Sequence, residues 1–489
     1  MPFNGSPGPK AISEMVRRAP KLVAGAAVVV ACAALSLQPG CDKRDAGTDS
    51  ESAPNIVLII IDALRADIMG CYGFPENTSP ELDELARNGV LFEKTVAQCS
   101  WTRPSIGSMI TSLYPRTLGI YKEDFDILLD EHLTLAEVLK ANGYRTIGIT
   151  ANPNINRVFN FHQGFDEYAE SNVIWKWMKP EEGKRVHKED RGANLPSCEE
   201  VFGWVLERVK VQSGGPAYIQ INIMEVHSPY LVRRDYATTY RGFPVQLHPD
   251  YEERELKACV WGTLAALRQV SRDTAEFIEK LRALPGWENT LFVITSDHGQ
   301  GLDNHPGVEL SMLHGNILYE SQLMVPLILY NAADRKRVPA GRRVPEKVRL
   351  LDLMPTLLDY AGIGAPEALR GSTLLPLVEG NGGHLLPSVF FAETSFRRAE
   401  KVAAYSDLWR YIENRDGWGG VNDLELQSAG GMENGVHTDQ IELNPEEAGR
   451  LKAALQEWES RFRRVSSVQP GEAPSEEVIE QLKSLGYIK

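Results

Sequence analysis

Unbroken apolar runs separated by amphipathic stretches fill the chain from residue 55 onward, and the two patterns predict different elements. NIVLIIID, starting at Asn55, is a continuous β-branched run that ends in Asp62, as in a strand buried on both faces that delivers a carboxylate at its C-terminal end. TSPELDELARNG predicts a helix, with Ser79 placed to cap it, Pro80 in its first turn, Leu82 and Leu85 on one face, and Gly89 closing it. VLFEKTVA predicts a strand, and TLAEVLKANGYRTIGIT repeats the order of helix, glycine and strand. AYIQINIM and TLFVITSDHG add two more strands, the second ending at Asp297. This alternation predicts an α/β fold, a parallel or mixed sheet covered on both faces. The functional loops of such sheets collect at the carboxyl edge of the strands.

Residues 171–200 and 231–255 are polar and irregular and read as insertions over that edge. After LLPLVEGNGGHLLP the texture changes: SVFFAETS, KVAAYSD and WRYIENR predict short strands of a smaller antiparallel unit, followed by the helix PEEAGRLKAALQEWESRFRR and a short helical tail, EEVIEQLKSLGYIK. The resulting division is a leader over 1–41, a tether over 42–54, a catalytic domain over 55–378, a C-terminal subdomain over 379–465 and a tail over 466–489.

The first 41 residues read as a targeting segment. Arg17, Arg18 and Lys21 precede LVAGAAVVVACAALSL, an apolar run of about 16 residues where a spanning helix needs about 20. Gly40 before Cys41 resembles a bacterial lipoprotein processing site, and Cys32 in VVAC is the other candidate. Cys41 is preferred because the polar tether starts directly after it. The expectation is an exported bacterial protein attached to the cell envelope by a lipid on Cys41, and so held at a membrane surface. The formal net charge of −14 argues against broad nucleic-acid binding. Six cysteines without CxxC or metal-ligand spacing indicate neither a disulfide framework nor a zinc cluster.

Asp62, Thr102, Asp297 and His298 form a set of oxygen and imidazole donors at strand ends or before a helix, suited to Mg, Ca, Mn or Zn. A cation touching Thr102 would lower its hydroxyl pKa and make it a nucleophile, with the amides after it facing an anionic group. Each residue also has a plain role open to it. Thr102 before Pro104 suits a helix cap, Asp62 and Asp297 suit turns, and His227 in MEVHSPY and His314 in MLHGN suit polar pockets. No periodicity brings them together.

A resemblance does. NIVLIIIDALRADIMGCYG, SWTRPS with MITSLYPRTLG, TLAEVLKANGYRT, EVHSPY, TSDHGQGL, YESQLMVPLIL and LLDLMPTLLDYAG stand in the order seen in the sulfatase family of the alkaline-phosphatase superfamily, and LKSLGY is similar to that family's tail. The resemblance implies an α/β sandwich with a four-stranded C-terminal subdomain. It implies that Asp62, Asp297 and His298 are metal ligands, that His227 lies near the substrate anion or leaving group, and that His314 lies near a basic substrate-binding position. Two departures stand out. The formylglycine motif C-x-P-S-R, or S-x-P-S-R, here reads Thr102, Arg103, Pro104, Ser105, Ile106, so no formylglycine is expected, and Cys99 lies too far upstream to replace it. Ala63 stands where the second Asp of the usual pair belongs. The remaining set resembles the metal-bound threonine site of phosphotransferases and phosphodiesterases of the same superfamily.

The expected activity is therefore metal-dependent hydrolysis of a sulfate or phosphate ester, with a glycan or lipid as the candidate carrier. Thr102 attacks, His227 or His314 meets the anion or protonates the leaving oxygen, Arg103 neutralises the substrate, and Arg65 and Asn152 support the site. The alternatives are a phosphoglycerol- or phosphoethanolamine-type transferase acting on envelope glycans or lipids, and a degenerate sulfatase fold used for binding.

Overall fold

The computed structural model describes residues 53–489 apart from 122–124, 178–194, 211–213, 246–251, 303–313, 381–385, 397–399, 416–421, 429–438 and seven residues near the C-terminus, 467, 469, 470, 472, 486, 488 and 489. The leader, with Cys32 and Cys41, lies outside the described residues. Among those described, no helix is long and apolar enough to cross a membrane.

The larger sheet has eight strands: β1 (Asn55–Ile61), β2 (Val90–Val96), β3 (Arg145–Thr150), β4 (Glu167–Ala169), β5 (Ala217–Ile223), β6 (Thr290–Thr295), β7 (Met324–Tyr330) and β8 (Arg342–Arg349). Their spatial order is β4, β3, β5, β1, β6, β7, β2, β8. Neighbours pair in parallel except β7, which is antiparallel to both β6 and β2. The C-terminal ends of β1, β2, β3, β5 and β6 therefore open on one edge, with β1 between β5 and β6.

The unbroken run in β1 has its cause in burial on both faces. Ile56, Leu58 and Ile60 enter one apolar core and Val57, Ile59 and Ile61 the other, none of them exposed. Alternation with period two feeds both layers at once, each side chain contributing on the order of 2 kcal/mol relative to exposure. The first core is covered by α2 (Thr102–Thr111) and by the helices Leu135–Ala141 and Leu353–Tyr360. The second is covered by α1 (Pro80–Arg87) and by the helices Cys198–Val209 and Glu253–Arg282.

A four-stranded antiparallel sheet, β9 (Phe390–Thr394), β10 (Lys401–Tyr405), β11 (Trp409–Asn414) and β12 (Leu424–Ser428), follows in the order β12, β11, β10, β9. Its Phe390, Ala392, Ala403, Tyr405 and Ile412 join the first core of the large sheet. Val402, Ala404, Tyr411 and Leu426 pack against Leu451, Leu455 and Trp458 of the helix Pro445–Arg461.

Two expectations change in detail. Ser79 precedes α1, but its hydroxyl donates to Asp83 Oδ1 at 2.8 Å instead of capping the helix. The first-turn amides of Glu81 and Leu82 are met by Ser271 Oγ, 3.1 Å from each. Residues 171–200, read as irregular, hold the helix Ser171–Trp177, with Ile174 buried, and the start of Cys198–Val209, which a Ser197/Glu200 capping box begins.

Candidate active site

Strand ends assemble the site. Asp62 follows β1, Asn152 lies two residues beyond β3, His227 lies four beyond β5, Asp297 and His298 follow β6, and Thr102 opens α2 after β2. Ser105, one helical turn into α2, donates to the Asp297 backbone carbonyl at 2.5 Å and so ties the threonine helix to the end of β6. Gly299 is required beside His298, since any Cβ there would collide with the Ser321 carbonyl. Its amide donates to Gln322 O at 2.8 Å.

Asp62, Asp297 and His298 are fully buried, and one ligand atom from each lies within 4.8 Å of the others. His298 Nε2 stands 3.8 Å from Asp62 Oδ1 and 3.4 Å from Asp297 Oδ2. Its Nδ1 faces the Gly299 carbonyl at 2.8 Å, which in the neutral ring places the proton on Nδ1 and turns the Nε2 lone pair toward the carboxylates. Asp62 Oδ1 and Asp297 Oδ2 are buried without a hydrogen-bond partner. Two inward-facing carboxylate oxygens and one imidazole lone pair fit a divalent cation. Burial, followed by the neighbouring Asp297, holds the Asp62 carboxyl well above its usual range, while hydrogen bonds from Asn152 and Asn222 pull it down. A cation among these groups reverses that balance. Ala63, in the left-handed region at φ 59°, adds no carboxylate, and its amide donates to Asp297 Oδ1 at 3.3 Å.

Thr102 Oγ1 lies against this cluster, 3.3 Å from His298 Nε2, and it accepts from Asn152 Nδ2 at 3.3 Å. The same Asn152 amide donates to Asp62 Oδ2 at 2.6 Å. On the other side of Thr102 is Tyr487, whose hydroxyl is 3.0 Å from Oγ1 and 3.3 Å from His227 Nε2. His227 Nδ1 faces the Ser228 carbonyl at 2.5 Å and Nε2 lies 2.8 Å from His314 Nε2. Burial lowers the His227 pKa to about 4, so near neutral pH its Nε2 carries a lone pair and His314 is the donor between them.

The structure thus brings together Asp62, Thr102, Asn152, His227, Asp297, His298 and His314. Arg103 and Arg65 turn elsewhere. The Arg103 guanidinium lies 3.8 Å over the Phe159 ring and donates to Asn154 O and Oδ1 at 3.1 and 2.8 Å. That holds the turn next to Asn152. Arg65 pairs with Asp67 at 2.6 Å and donates to the Gln300 and Gly301 carbonyls at 3.2 and 3.1 Å, bracing the chain after His298. Both are buried, so their charge serves local architecture. Ser105, Asn222 and Tyr487 were given no role from sequence; Ser105 lies within the motif and Tyr487 within the tail, but neither pattern shows what it touches.

The sequence profile of the sulfatase family matches residues 54–363. The chain belongs to the sulfatase family. As such it is an ester-cleaving enzyme, a hydrolase of sulfate or phosphate esters, and the family typically uses a divalent metal. A sulfatase of Formosa agariphila is 24% identical over 422 residues, 74% of this chain and 79% of that protein. An arylsulfatase of Clostridium perfringens is 24% identical over 382 residues, 67% of this chain and 78% of that protein. Among solved structures, the phosphonate monoester hydrolase of Agrobacterium radiobacter superposes with a TM-score of 0.68 at 17% identity, covering 86% of this chain and 100% of that one. BT4656, solved with its substrate D-glucosamine-2-N,6-O-disulfate, gives 0.67 at 14% identity, covering 84% and 98%. These likenesses establish that the chain shares the fold of those enzymes.

Proposed function

We propose that this sulfatase-family hydrolase uses the unmodified Thr102 hydroxyl as its nucleophile and holds a divalent cation with Asp62, Asp297 and His298. One observation carries the reading: Thr102 Oγ1 lies 3.3 Å from His298 Nε2, beside two buried carboxylate oxygens that lack hydrogen-bond partners. A bound cation would polarise the ester and lower the hydroxyl pKa.

Thr102 Oγ1 loses its proton to solvent and forms a bond to sulfur or phosphorus as the bond to the leaving oxygen breaks, and that oxygen takes a proton from His227, giving a threonyl ester and an alcohol. Water then cleaves that ester, restoring the hydroxyl and releasing the inorganic anion. Asn152 fixes Oγ1 relative to Asp62 through one amide group. His227 is neutral at rest because burial lowers its pKa. An anionic ester placed beside it raises its proton affinity and lets it hold the proton that the leaving oxygen takes.

The substrate is an anionic ester. A sulfated sugar as its carrier draws support from the disulfated glucosamine bound by BT4656. Phosphoryl transfer draws support from the threonine itself, because a threonyl ester requires a second displacement, unlike a hydrated aldehyde. Export through residues 1–41 with lipid on Cys41 belongs to the same reading and rests on sequence alone. Metabolic labelling with a fatty-acid analogue should mark the wild-type chain and leave Cys41→Ala unlabelled.

The decisive kinetic comparison uses aryl sulfate, phosphate monoester and phosphodiester substrates with wild type and Thr102→Ala. Turnover should fall about a thousandfold or more in the variant, as when a nucleophile is removed, and chelation should abolish it in the wild type. An active Thr102→Ala protein sinks the assignment.

A further inference from the structure

Tyr487, the last of the described residues, sits on the reaction centre. The helix Glu476–Ser484 ends at Leu485, and the Tyr487 amide bonds back to the Leu482 carbonyl at 2.9 Å. That turn drives the Tyr487 ring inward until it is 1% exposed. The ring lies 5.8 Å from His227 at an interplanar angle of 23°, 5.6 Å from His314 and 6.3 Å edge-on to Phe396. Its hydroxyl faces Thr102 Oγ1 and His227 Nε2.

These are the contacts that the proposed reaction requires of its leaving group, an oxygen in reach of the nucleophile and of the histidine that manages its proton. With Tyr487 seated, Thr102, Asp62, Asp297 and His298 have no exposed surface, and the phenol occupies the space beside Oγ1 that an incoming ester needs. The element filling this space follows the helix Glu476–Ser484 and is not a strand end of the sheet. The phenol is also in its neutral, hydrogen-bonding form, like the product of an aryl ester.

We propose that Tyr487 is an intramolecular ligand of the reaction site: the walls made by His227, His314 and Phe396 form a subsite for an aromatic alcohol, and the C-terminal tail competes with substrate for it. The inference rests on the reading of Thr102 as the reaction centre. Substrate enters only in molecules whose tail has withdrawn, and a tail seated in about nine molecules of ten raises the apparent KM about tenfold.

The test uses the full-length protein with Tyr487→Ala and Tyr487→Phe. For Tyr487→Ala on an aryl ester, KM should fall about tenfold with kcat held, and added phenol should inhibit the variant competitively. Tyr487→Phe keeps the ring and loses both hydrogen bonds, so its KM should lie between the two. If Tyr487 were instead a structural or catalytic part of the site, kcat/KM would drop in both variants and phenol would restore activity to Tyr487→Ala, which overturns the proposal. A calorimetric titration with inorganic phosphate decides it without turnover. Tighter binding to Tyr487→Ala than to wild type supports the competing tail, and equal or weaker binding contradicts it. Failure of the Thr102 reading is seen separately, as activity retained in Thr102→Ala.

Discussion

The facing oxygens of Asp62 and Asp297 concentrate the conflict between stability and function in this protein. Two buried carboxylates without a cation repel, and burial together with Asp297 raises the Asp62 pKa. Removing one charge should relieve the metal-free fold while destroying the site. Asp62→Asn should therefore melt no lower than wild type in the presence of chelator, and should lose the upward shift that a divalent cation gives the wild type. A melting series with and without chelator checks both. The same raised pKa makes the proton a competitor of the cation. Cation affinity should weaken as pH falls through the Asp62 pKa, with proton uptake by the protein when the metal leaves. Calorimetry in buffers of different ionisation enthalpy reads that proton directly, and binding that ignores pH would contradict the geometry.

Between β5 and the helix Cys198–Val209, Glu225 is buried and accepts a hydrogen bond from the Cys198 amide. Burial raises its pKa to about 7 from the ordinary 4.5. Between those values the folded state binds the proton that the unfolded chain has released, so Glu225 makes stability fall as pH rises from about 4.5 to about 7, with no further loss above. Glu225→Gln should remove that decline, which denaturant melts across the window would show. Element by element, legibility from sequence follows the same physics. β1 and β6 were legible because burial on both faces demands largely apolar runs, and Asp62 and Asp297 because a polar residue ending such a run has few uses. β12 hid because its pattern inverts: Glu425 is buried, accepting from Asn414 Nδ2 at 2.6 Å and Tyr319 Oη at 2.7 Å. The capping of α1 by Ser271 pairs residues 190 apart, beyond any local signal. Arg103 and Arg65 read from sequence as substrate-facing because a cation stands beside a reactive motif; their contacts with the Asn154 and Gln300 carbonyls and the Phe159 ring come from segments far along the chain, and Arg65 also pairs with nearby Asp67. Tyr487 reaches Thr102 across 385 positions, and only tertiary packing reveals it.

At the scale of the whole molecule, one buried arginine ties the catalytic domain to both the small sheet and the helix behind it, which makes that link worth testing. Arg116 is buried and pairs with Glu393 of β9 at 3.1 Å and with Glu459 of the helix Pro445–Arg461 at 2.9 Å, its guanidinium 3.8 Å over Trp458. Arg116→Ala leaves Glu393 buried without its cation and should cost about 3–5 kcal/mol, read as a lowered denaturation midpoint. A loss below about 1 kcal/mol, the range of exposed pairs, would mean that the Arg116 pairs add little to the attachment of the sheet. The central claim, that four strand ends and one helix build a threonine-based ester hydrolase, concerns a bond that can be trapped. Rapid acid quench during turnover of an activated aryl ester, followed by peptide mass analysis, should place a sulfuryl or phosphoryl group on the peptide that carries Thr102, and on none from Thr102→Ala. Turnover with an unmodified Thr102 peptide at every quench time, and with activity surviving in Thr102→Ala, would contradict the account.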